Sequence, residues 1–180
     1  MMIAYKGFGP GLICRGYRFQ MGKNVTEQAN CAENGFHCAE NPLDCLYYYS
    51  DMKQFEYYLV DAGGDVDEDD RDSKISCTEL TILKKLDLRT FLLHALAYMA
   101  DHPMREWNRH VQRGCGEAGD GFAVVRGEDP VACGRKGDLL AYAKEDPVVG
   151  KITQVALLAV DGKKVLPHRW YDIDAVERKV

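Results

Sequence analysis

The sequence predicts an α+β fold with a mostly antiparallel β-sheet, two or three helices and a β-rich C-terminal part punctuated by glycine. Three observations predict it. Short runs rich in aromatic and β-branched residues, such as residues 55–61 and 152–160, are typical of strands. Two other segments carry helix start signals, and glycine becomes frequent after residue 114. The length of 180 residues favours one domain, or one domain with a small addition.

The N-terminal half contains most of the predicted strands of the sheet. Residues 2–5 are short and apolar, and a dense turn sequence follows them. We expect residues 12–20 to form a second strand that carries Arg15, because apolar and polar residues alternate there. Further strands are expected at 35–38, 55–61 and 73–83, so a sheet should dominate this half.

Two helices are predicted from their start signals. Asn41 and Pro42 are typical of an N-cap followed by the first helical position, which predicts a helix over residues 42–49. Asp87 is a second N-cap candidate. The stripe of apolar residues after it has helical spacing: Leu88, Phe91, Leu92, Ala95, Leu96 and Met99. This is the clearest helix in the chain.

The texture of the sequence changes near residues 101–115, where we place a soft boundary between an α+β domain (1–100) and a β-rich region (101–180). Glycines then separate short β-prone pieces, at positions 114, 116, 119, 121, 127, 134 and 137. Such spacing predicts tight turns or a short β-coil.

Composition and charge limit the classes of partner. The formal net charge is −5, which argues against nucleic acid because backbone binding needs a basic face. No apolar run approaches the ~20 residues of a membrane helix, and residues 1–11 lack the pattern of a secretory signal. We therefore expect a cytoplasmic protein. Its seven cysteines are expected to be buried and reduced rather than paired.

Metal binding is not predicted by the cysteine and histidine spacing. Cys31, Cys38 and Cys45 are seven residues apart, and His37 adjoins the second of them. Structural zinc sites usually contain ligand pairs two to four residues apart, and no such pair occurs here. We expect no metal and, for a binding protein, no cofactor.

The acidic run at residues 65–72 resembles the start of a calcium loop, with acids at alternating positions. The match then fails, since Asp70 takes the place of the turn glycine and Ser76 that of the bidentate glutamate. A solvated loop is the expected structure, and weak divalent-cation binding stays open.

Several motifs together resemble a known family. They are Ala4-Tyr5-Lys6-Gly7-Phe8, Cys14-Arg15-Gly16-Tyr17-Arg18-Phe19, Gly35-Phe36-His37-Cys38, Glu40-Asn41-Pro42-Leu43-Asp44 and the C-terminal Val160-Asp161-Gly162 with Trp170-Tyr171. The chain resembles a domain of unknown function found in phage and prophage proteins. Longer relatives carry many Gly-Asp-rich repeats, which residues 116–136 retain only in part. The resemblance implies a bacterial host cell and supplies no catalytic residues.

The leading functional hypothesis is a phage- or prophage-associated protein that acts by macromolecular binding rather than by catalysis. Besides the resemblance, it depends on a tyrosine-rich segment around Tyr47, Tyr48 and Tyr49. Three consecutive tyrosines on a helix cannot all face the core, so at least one should be exposed. Exposed tyrosine suits a protein interface, which predicts a protein partner.

The alternative is an enzyme that consumes NAD, since the order of elements resembles ADP-ribosyltransferases. That likeness implies a phosphate contact for Arg15, a ribose contact for His37 and a catalytic carboxylate role for Glu79. A carboxylate can stabilise the oxocarbenium-like centre that forms when nicotinamide leaves. The motif departs from the usual pattern, because Phe36 is followed by His37-Cys38-Ala39 rather than by hydroxyl residues. This hypothesis requires the three side chains to converge on one cleft.

Overall fold

The structure is a computed structural model that describes residues 1–29, 34–68 and 73–180. Its backbone divides into two compact units, Met1–Phe91 and Leu92–Val180. The strands of the first unit are β1 (Met2–Phe8), β2 (Ile13–Cys14), β3 (Tyr17–Arg18), β4 (Gly22–Val25), β5 (Phe36–Ala39), β6 (Glu56–Glu68) and β7 (Lys74–Leu86). A 3₁₀ helix spans Pro42–Tyr47, and the helix α1 (Leu88–Asp101) contains the boundary between the units.

The main sheet of the first unit has the strand order β4-β7-β5-β1-β6. Strand β7 also pairs with β6 over most of its length, so β5, β1, β6 and β7 form a closed ring of antiparallel pairings. These strands bury side chains in one apolar cluster, which includes Phe8, Val60, Ile75 and Leu80. The ring buries this apolar face and leaves few free strand edges.

One joint of the ring is much weaker than the others. Strands β1 and β5 share a single registered pair, Tyr5 with Ala39. By contrast, β1 pairs with β6 along its whole length, from Met2 to Phe8. The segments 6–8 and 36–38, which would continue the β1–β5 ladder, do not pair with each other in the structure as described. We call this gap between the two segments the β1–β5 seam.

Residues 12–20 form a hairpin rather than the single strand that the alternation predicted. Strands β2 and β3 are joined by Arg15 and Gly16, whose φ angles are 48° and 81°. Two positive φ angles in a two-residue loop match the twist of a β-hairpin. Arg15 is therefore a turn residue and not a strand residue, because the positive φ favoured by Gly16 ends the strand there.

Both predicted helices are confirmed. The Asn41 side chain accepts a hydrogen bond from the Leu43 backbone N–H at 3.1 Å, and Pro42 opens the 3₁₀ helix. In α1, the Asp87 carboxylate accepts from the Thr90 N–H at 2.7 Å, as an N-cap should. The predicted apolar stripe is buried, with Phe91, Leu92 and Ala95 fully inaccessible to solvent.

The acidic run is partly ordered in a strand, against the expectation of a loop throughout. Strand β6 continues through Glu68, which pairs with Ile75 of β7. The neighbouring strand supplies ladder hydrogen bonds, and these outweigh the poor strand propensity of aspartate. Residues 69–72 of the run lie outside the described residues.

The second unit is almost entirely strand after α1. Its strands are β8 (Val111–Glu117), β9 (Phe122–Cys133), β10 (Leu139–Glu145), β11 (Ile152–Ala159), β12 (Trp170–Asp172) and β13 (Glu177–Arg178). Strands β8, β9 and β10 are sequential and parallel, although only residues 118–121 and 134–138 connect them. Parallel neighbours normally need a dozen or more connecting residues. The short links work because the strands bend, so the chain winds as a coil.

Glycine forms the corner of this coil. Gly114 has φ 70°, and the pairing of β8 with β9 shifts register at that point. A Cβ on Gly127 would lie 3.0 Å from the Gly114 Cα, so the two glycines stack at one corner. Of the two structures that the glycine spacing left open, tight turns or a short β-coil, the chain forms the coil, within a mostly antiparallel α+β fold.

Candidate functional site

A pocket of about 510 Å³ opens at the β1–β5 seam. Residues of both separated segments line it, among them Lys6 and Gly7 from β1 and Phe36 and His37 from β5. The 3₁₀ helix and the β2–β3 hairpin supply further walls. We call it the seam pocket. Its volume lies within the roughly 300–1,000 Å³ typical of small-molecule sites.

Lys6 is the buried cation of the seam pocket. Lys6 lies on the same face of β1 as Ala4 and Phe8, two residues from each, and this face carries the apolar cluster. Lys6 is only 5% exposed. The ammonium donates to the His37 carbonyl oxygen at 2.5 Å, across the seam where no backbone pair forms. It also lies 5.3 Å from the centres of the Phe8 and Phe19 rings. A buried ammonium needs such partners, and an anionic ligand would add another.

Two more cations line the pocket nearer to solvent. Arg15 is exposed at the tip of the β2–β3 hairpin, and Lys74 is half-buried at the start of β7. The hairpin is held over the seam because the Tyr49 hydroxyl donates to Cys14 Sγ at 2.9 Å. This places the guanidinium of Arg15, which can form bidentate bonds with phosphate or carboxylate, at the pocket.

Asp44 is the one carboxylate among the lining residues that the structure describes, and its oxygens bond to neighbouring protein groups. Its Oδ2 accepts from the Ser73 hydroxyl at 2.6 Å and from the Ser73 N–H at 3.3 Å. Its Oδ1 accepts from the Asn41 side-chain amide at 3.4 Å. Among its described residues, the lining therefore has three cationic side chains against one carboxylate, and their charge favours an anion.

His37 is neutral at physiological pH. Burial lowers its pKa first, and the nearby charges of Lys6, Lys74 and Arg15 lower it further, to about 4. Its Nε2 is buried and has no hydrogen-bond partner within the described residues. A buried polar atom without a partner is costly and is a common feature of binding sites.

Two thiols of the pocket lining, those of Cys38 and Cys45, are neutral rather than reactive. Burial raises the pKa of Cys45 to about 12. The pKa of Cys38 is raised by its hydrogen bond with Cys77 and by burial. A thiol must lose its proton to act as a nucleophile, so these cysteines serve as apolar wall. The predicted burial of cysteine is confirmed for Cys38, Cys45, Cys77 and Cys133, whereas Cys115 is exposed.

The structure brings two of the three predicted site residues together. Arg15 and His37 both line the seam pocket. Glu79 is not among its described lining residues. It lies on β7 opposite Val25 and forms an ion pair with Lys23, whose Nζ is 2.9 Å from the Glu79 Oε2. The Glu79 side chain is 40% exposed.

Sequence reasoning missed Lys6 and Lys74. A signal for Lys6 was available, because the lysine interrupts the inward alternation of Ala4 and Phe8. A charged residue at an inward position of a strand is a candidate for a functional role. No comparable signal marks Lys74, since its place in the pocket depends on how β7 lies beside β5.

No group of three or more metal-ligating side chains occurs among the described residues. In the same part of the chain, no helix is long and apolar enough to cross a membrane. The exposure expected for one of the three consecutive tyrosines is confirmed, since Tyr48 is 57% exposed.

The chain belongs to the family described as "Domain of unknown function (DUF7666)", whose model matches residues 2–94. The matched segment includes every lining residue of the seam pocket. The expectation of an uncharacterised family is thereby confirmed. Neither the curated proteins nor the solved structures contain a significant match to the chain.

Proposed function

We propose that this member of a family of unknown function acts by binding rather than by catalysis, and that the seam pocket is its binding site for an anionic ligand. One observation carries the proposal. The ring of strands is held by one registered pair at its β1–β5 joint, and among the described residues three cationic side chains line the pocket there against one carboxylate that bonds to the protein. Clefts lined by one sign of charge concentrate ligands of the opposite sign.

Lys6 supports an anion more strongly than a surface lysine would. Its ammonium is taken out of water, and a buried charge is stabilised only by close partners. The structure gives it a carbonyl oxygen and two ring faces, all of them neutral. A bound anion would supply the opposite charge at a place where water screens it little.

The test is calorimetric titration of the full chain with inorganic pyrophosphate, a compact anion that needs only cations. We expect saturable binding that weakens as salt rises, because salt screens charges near the mouth of the pocket. Lys74→Gln should weaken binding by roughly tenfold or more, the usual value of a hydrogen bond to a charged group.

Lys23→Gln is the matched control, because Lys23 is exposed on β4 of the same unit and pairs with Glu79. The control should bind pyrophosphate like the wild type. Equal losses in both variants would mean that only bulk charge matters, and the absence of saturable binding to the wild type would contradict the proposal.

The phage or prophage context and the protein partner belong to this proposal as expectations from the sequence. Exposed Tyr48, which lines the pocket, supports a contact surface at its mouth. A partner from phage or host would then be recognised through an anionic group. Its binding should compete with pyrophosphate, and a partner that binds equally well to Lys74→Gln would use another surface.

The second candidate function is the NAD-consuming transferase, and one observation favours it: Arg15 and His37 line the same pocket. In that reaction the bond between the ribose carbon and the nicotinamide nitrogen breaks, and nicotinamide leaves with the electron pair. Water or a target side chain then bonds to the carbon and loses its proton to a base. The position of Glu79 outside the described lining weakens this candidate.

Release of nicotinamide from NAD, measured by chromatography, tests the second candidate. An enzyme that uses Glu79 should release nicotinamide at a rate that falls at least a hundredfold in Glu79→Gln, a typical loss for one acid–base or electrostatic group. Lys23→Gln, which removes the partner of Glu79, is the control. Unchanged release in Glu79→Gln would remove the assigned role, and no release at all would remove the candidate.

A further inference from the structure

Aromatic rings form the second chemical feature of the seam pocket. Two of them, Tyr17 and Tyr48, keep 46% and 57% of their surface exposed where they line it. Large apolar side chains that stay exposed at a pocket often mark the position of a ligand. The aromatic character adjoins the cations, because Arg15 and Tyr17 lie in the same hairpin.

The ring of Tyr17 is fixed before any ligand binds. It packs edge-on against Phe19, with ring centres 4.6 Å apart, and is tilted against Phe36 at 5.3 Å. Both partners are buried, so the tyrosine ring is held in place from behind. When a flat ligand stacks on this ring, the tyrosine side chain loses little conformational entropy, and this favours affinity.

The third feature is a neutral polar group in the same lining. His37 follows Phe36 on β5, and its buried Nε2 has no partner among the described residues. A neutral imidazole suits a neutral hydrogen-bonding group, such as a sugar hydroxyl or the edge of a base, better than a second phosphate.

We propose that the ligand of the seam pocket is a nucleotide, whose phosphate contacts the cations while its base stacks on Tyr17 and Tyr48. The inference rests on the proposed anion site and adds that the ligand carries an aromatic base. A phosphate alone would leave the exposed tyrosines without a role, and an aromatic ligand alone would leave the cations without one. The net charge of −5 favours a free nucleotide over one within a nucleic acid.

The experiment compares AMP with ribose 5-phosphate and inorganic pyrophosphate by calorimetry on the full chain. Stacking on an aromatic side chain strengthens binding by roughly five- to 150-fold per base. We therefore expect AMP to bind at least fivefold more tightly than ribose 5-phosphate. Equal affinity of the two would overturn the nucleotide while leaving the anion proposal intact, since pyrophosphate reports on that alone.

Variants separate the ring from the charge. Tyr48→Leu should weaken AMP binding at least fivefold and leave ribose 5-phosphate unchanged, and Tyr17→Leu should behave likewise. Tyr98→Leu, which removes a half-buried tyrosine of α1, is the control for loss of a tyrosine. Tyr48 is exposed, so its replacement should leave the fold intact, and a melting curve of each variant checks this.

An oligonucleotide with a 5′-terminal adenosine phosphate distinguishes the two sources of the same group. Weaker binding of the oligonucleotide than of AMP is expected for a free nucleotide. Tighter binding would move the assignment to a nucleic-acid end. Unchanged AMP affinity in both tyrosine variants would contradict stacking at this site, whatever the source of the nucleotide.

Discussion

Gly7 shows how a single residue shapes the site. A Cβ at this position would lie 2.5 Å from Tyr49 Cδ2, so the tyrosine ring rests directly on the backbone of β1. The same tyrosine holds the β2–β3 hairpin through Cys14. The close approach therefore connects the strand that carries Lys6 to the hairpin that carries Arg15.

Replacing Gly7 with alanine should destabilise the protein by about 1–3 kcal/mol, the usual cost of overpacking. It should also weaken pyrophosphate binding, because the displaced Tyr49 releases the hairpin. Urea unfolding and calorimetry measure the two effects. Gly119→Ala is the control, since a Cβ there would meet no atom within 4 Å. Similar losses in both variants would show that the Tyr49 contact is not the cause.

The histidine predicts how stability depends on pH. The pKa of His37 is about 4 in the folded protein and about 6.5 in a model peptide, so the unfolded chain takes up the proton first as pH falls. Stability should therefore decline between pH 6.5 and 4, and His37→Gln should flatten that part of the profile. An identical decline in His37→Gln would show that other groups cause it.

At the scale of elements, the β2–β3 hairpin combines a structural requirement with a functional one. Its turn needs positive φ at both central residues, and asparagine followed by glycine is the sequence that such turns favour. Arginine occupies the first position instead, where the conformation is unfavourable for its side chain. When a residue lowers stability but places its charge at a pocket, the position is a candidate for a functional role.

Arg15→Asn should therefore separate stability from binding. We expect an equal or higher melting temperature, because the turn improves, together with weaker pyrophosphate binding, because a cation is lost. Differential scanning calorimetry and titration give the two values. A lower melting temperature with unchanged binding would mean that Arg15 acts in the fold and not in the site.

The β-coil of the second unit contains an ion pair whose arginine is buried. Arg126 is 2% exposed, and it donates from Nε and a terminal nitrogen to the two Glu145 carboxylate oxygens at 3.0 and 2.9 Å. It also donates to the Pro103 carbonyl oxygen at 2.7 Å. The pair joins β9 to β10, because the two residues lie on neighbouring strands.

Glu145→Ala should cost about 3–5 kcal/mol in urea unfolding, since it leaves a buried cation without its anion. The double variant Arg126→Met with Glu145→Leu should recover most of that loss, because it removes both charges at once. Failure of the double variant to recover stability would mean that packing, and not the unpaired charge, sets the cost.

At the scale of the whole molecule, the candidate site lies in one unit and within the segment matched by the family. Hydrogen exchange of backbone amides should therefore respond to the ligand in the first unit and not in the second. Saturating pyrophosphate should slow hydrogen exchange in β1 and β5, because a ligand in the seam opposes their separation. Amides of β9 and β10 should exchange at unchanged rates, and protection confined to them would place the anion elsewhere.

The sequence by itself determined the fold class, both helices with their N-caps, and the glycine-cornered coil, because these depend on residues close together in the chain. It also indicated Arg15 and His37. Only the tertiary structure decided the pocket, because Lys6 and His37 are 31 residues apart and meet across a ladder that stops after one pair. Strand pairing between distant segments leaves no local pattern, which explains why the sequence did not indicate Lys74 as a lining residue of the pocket.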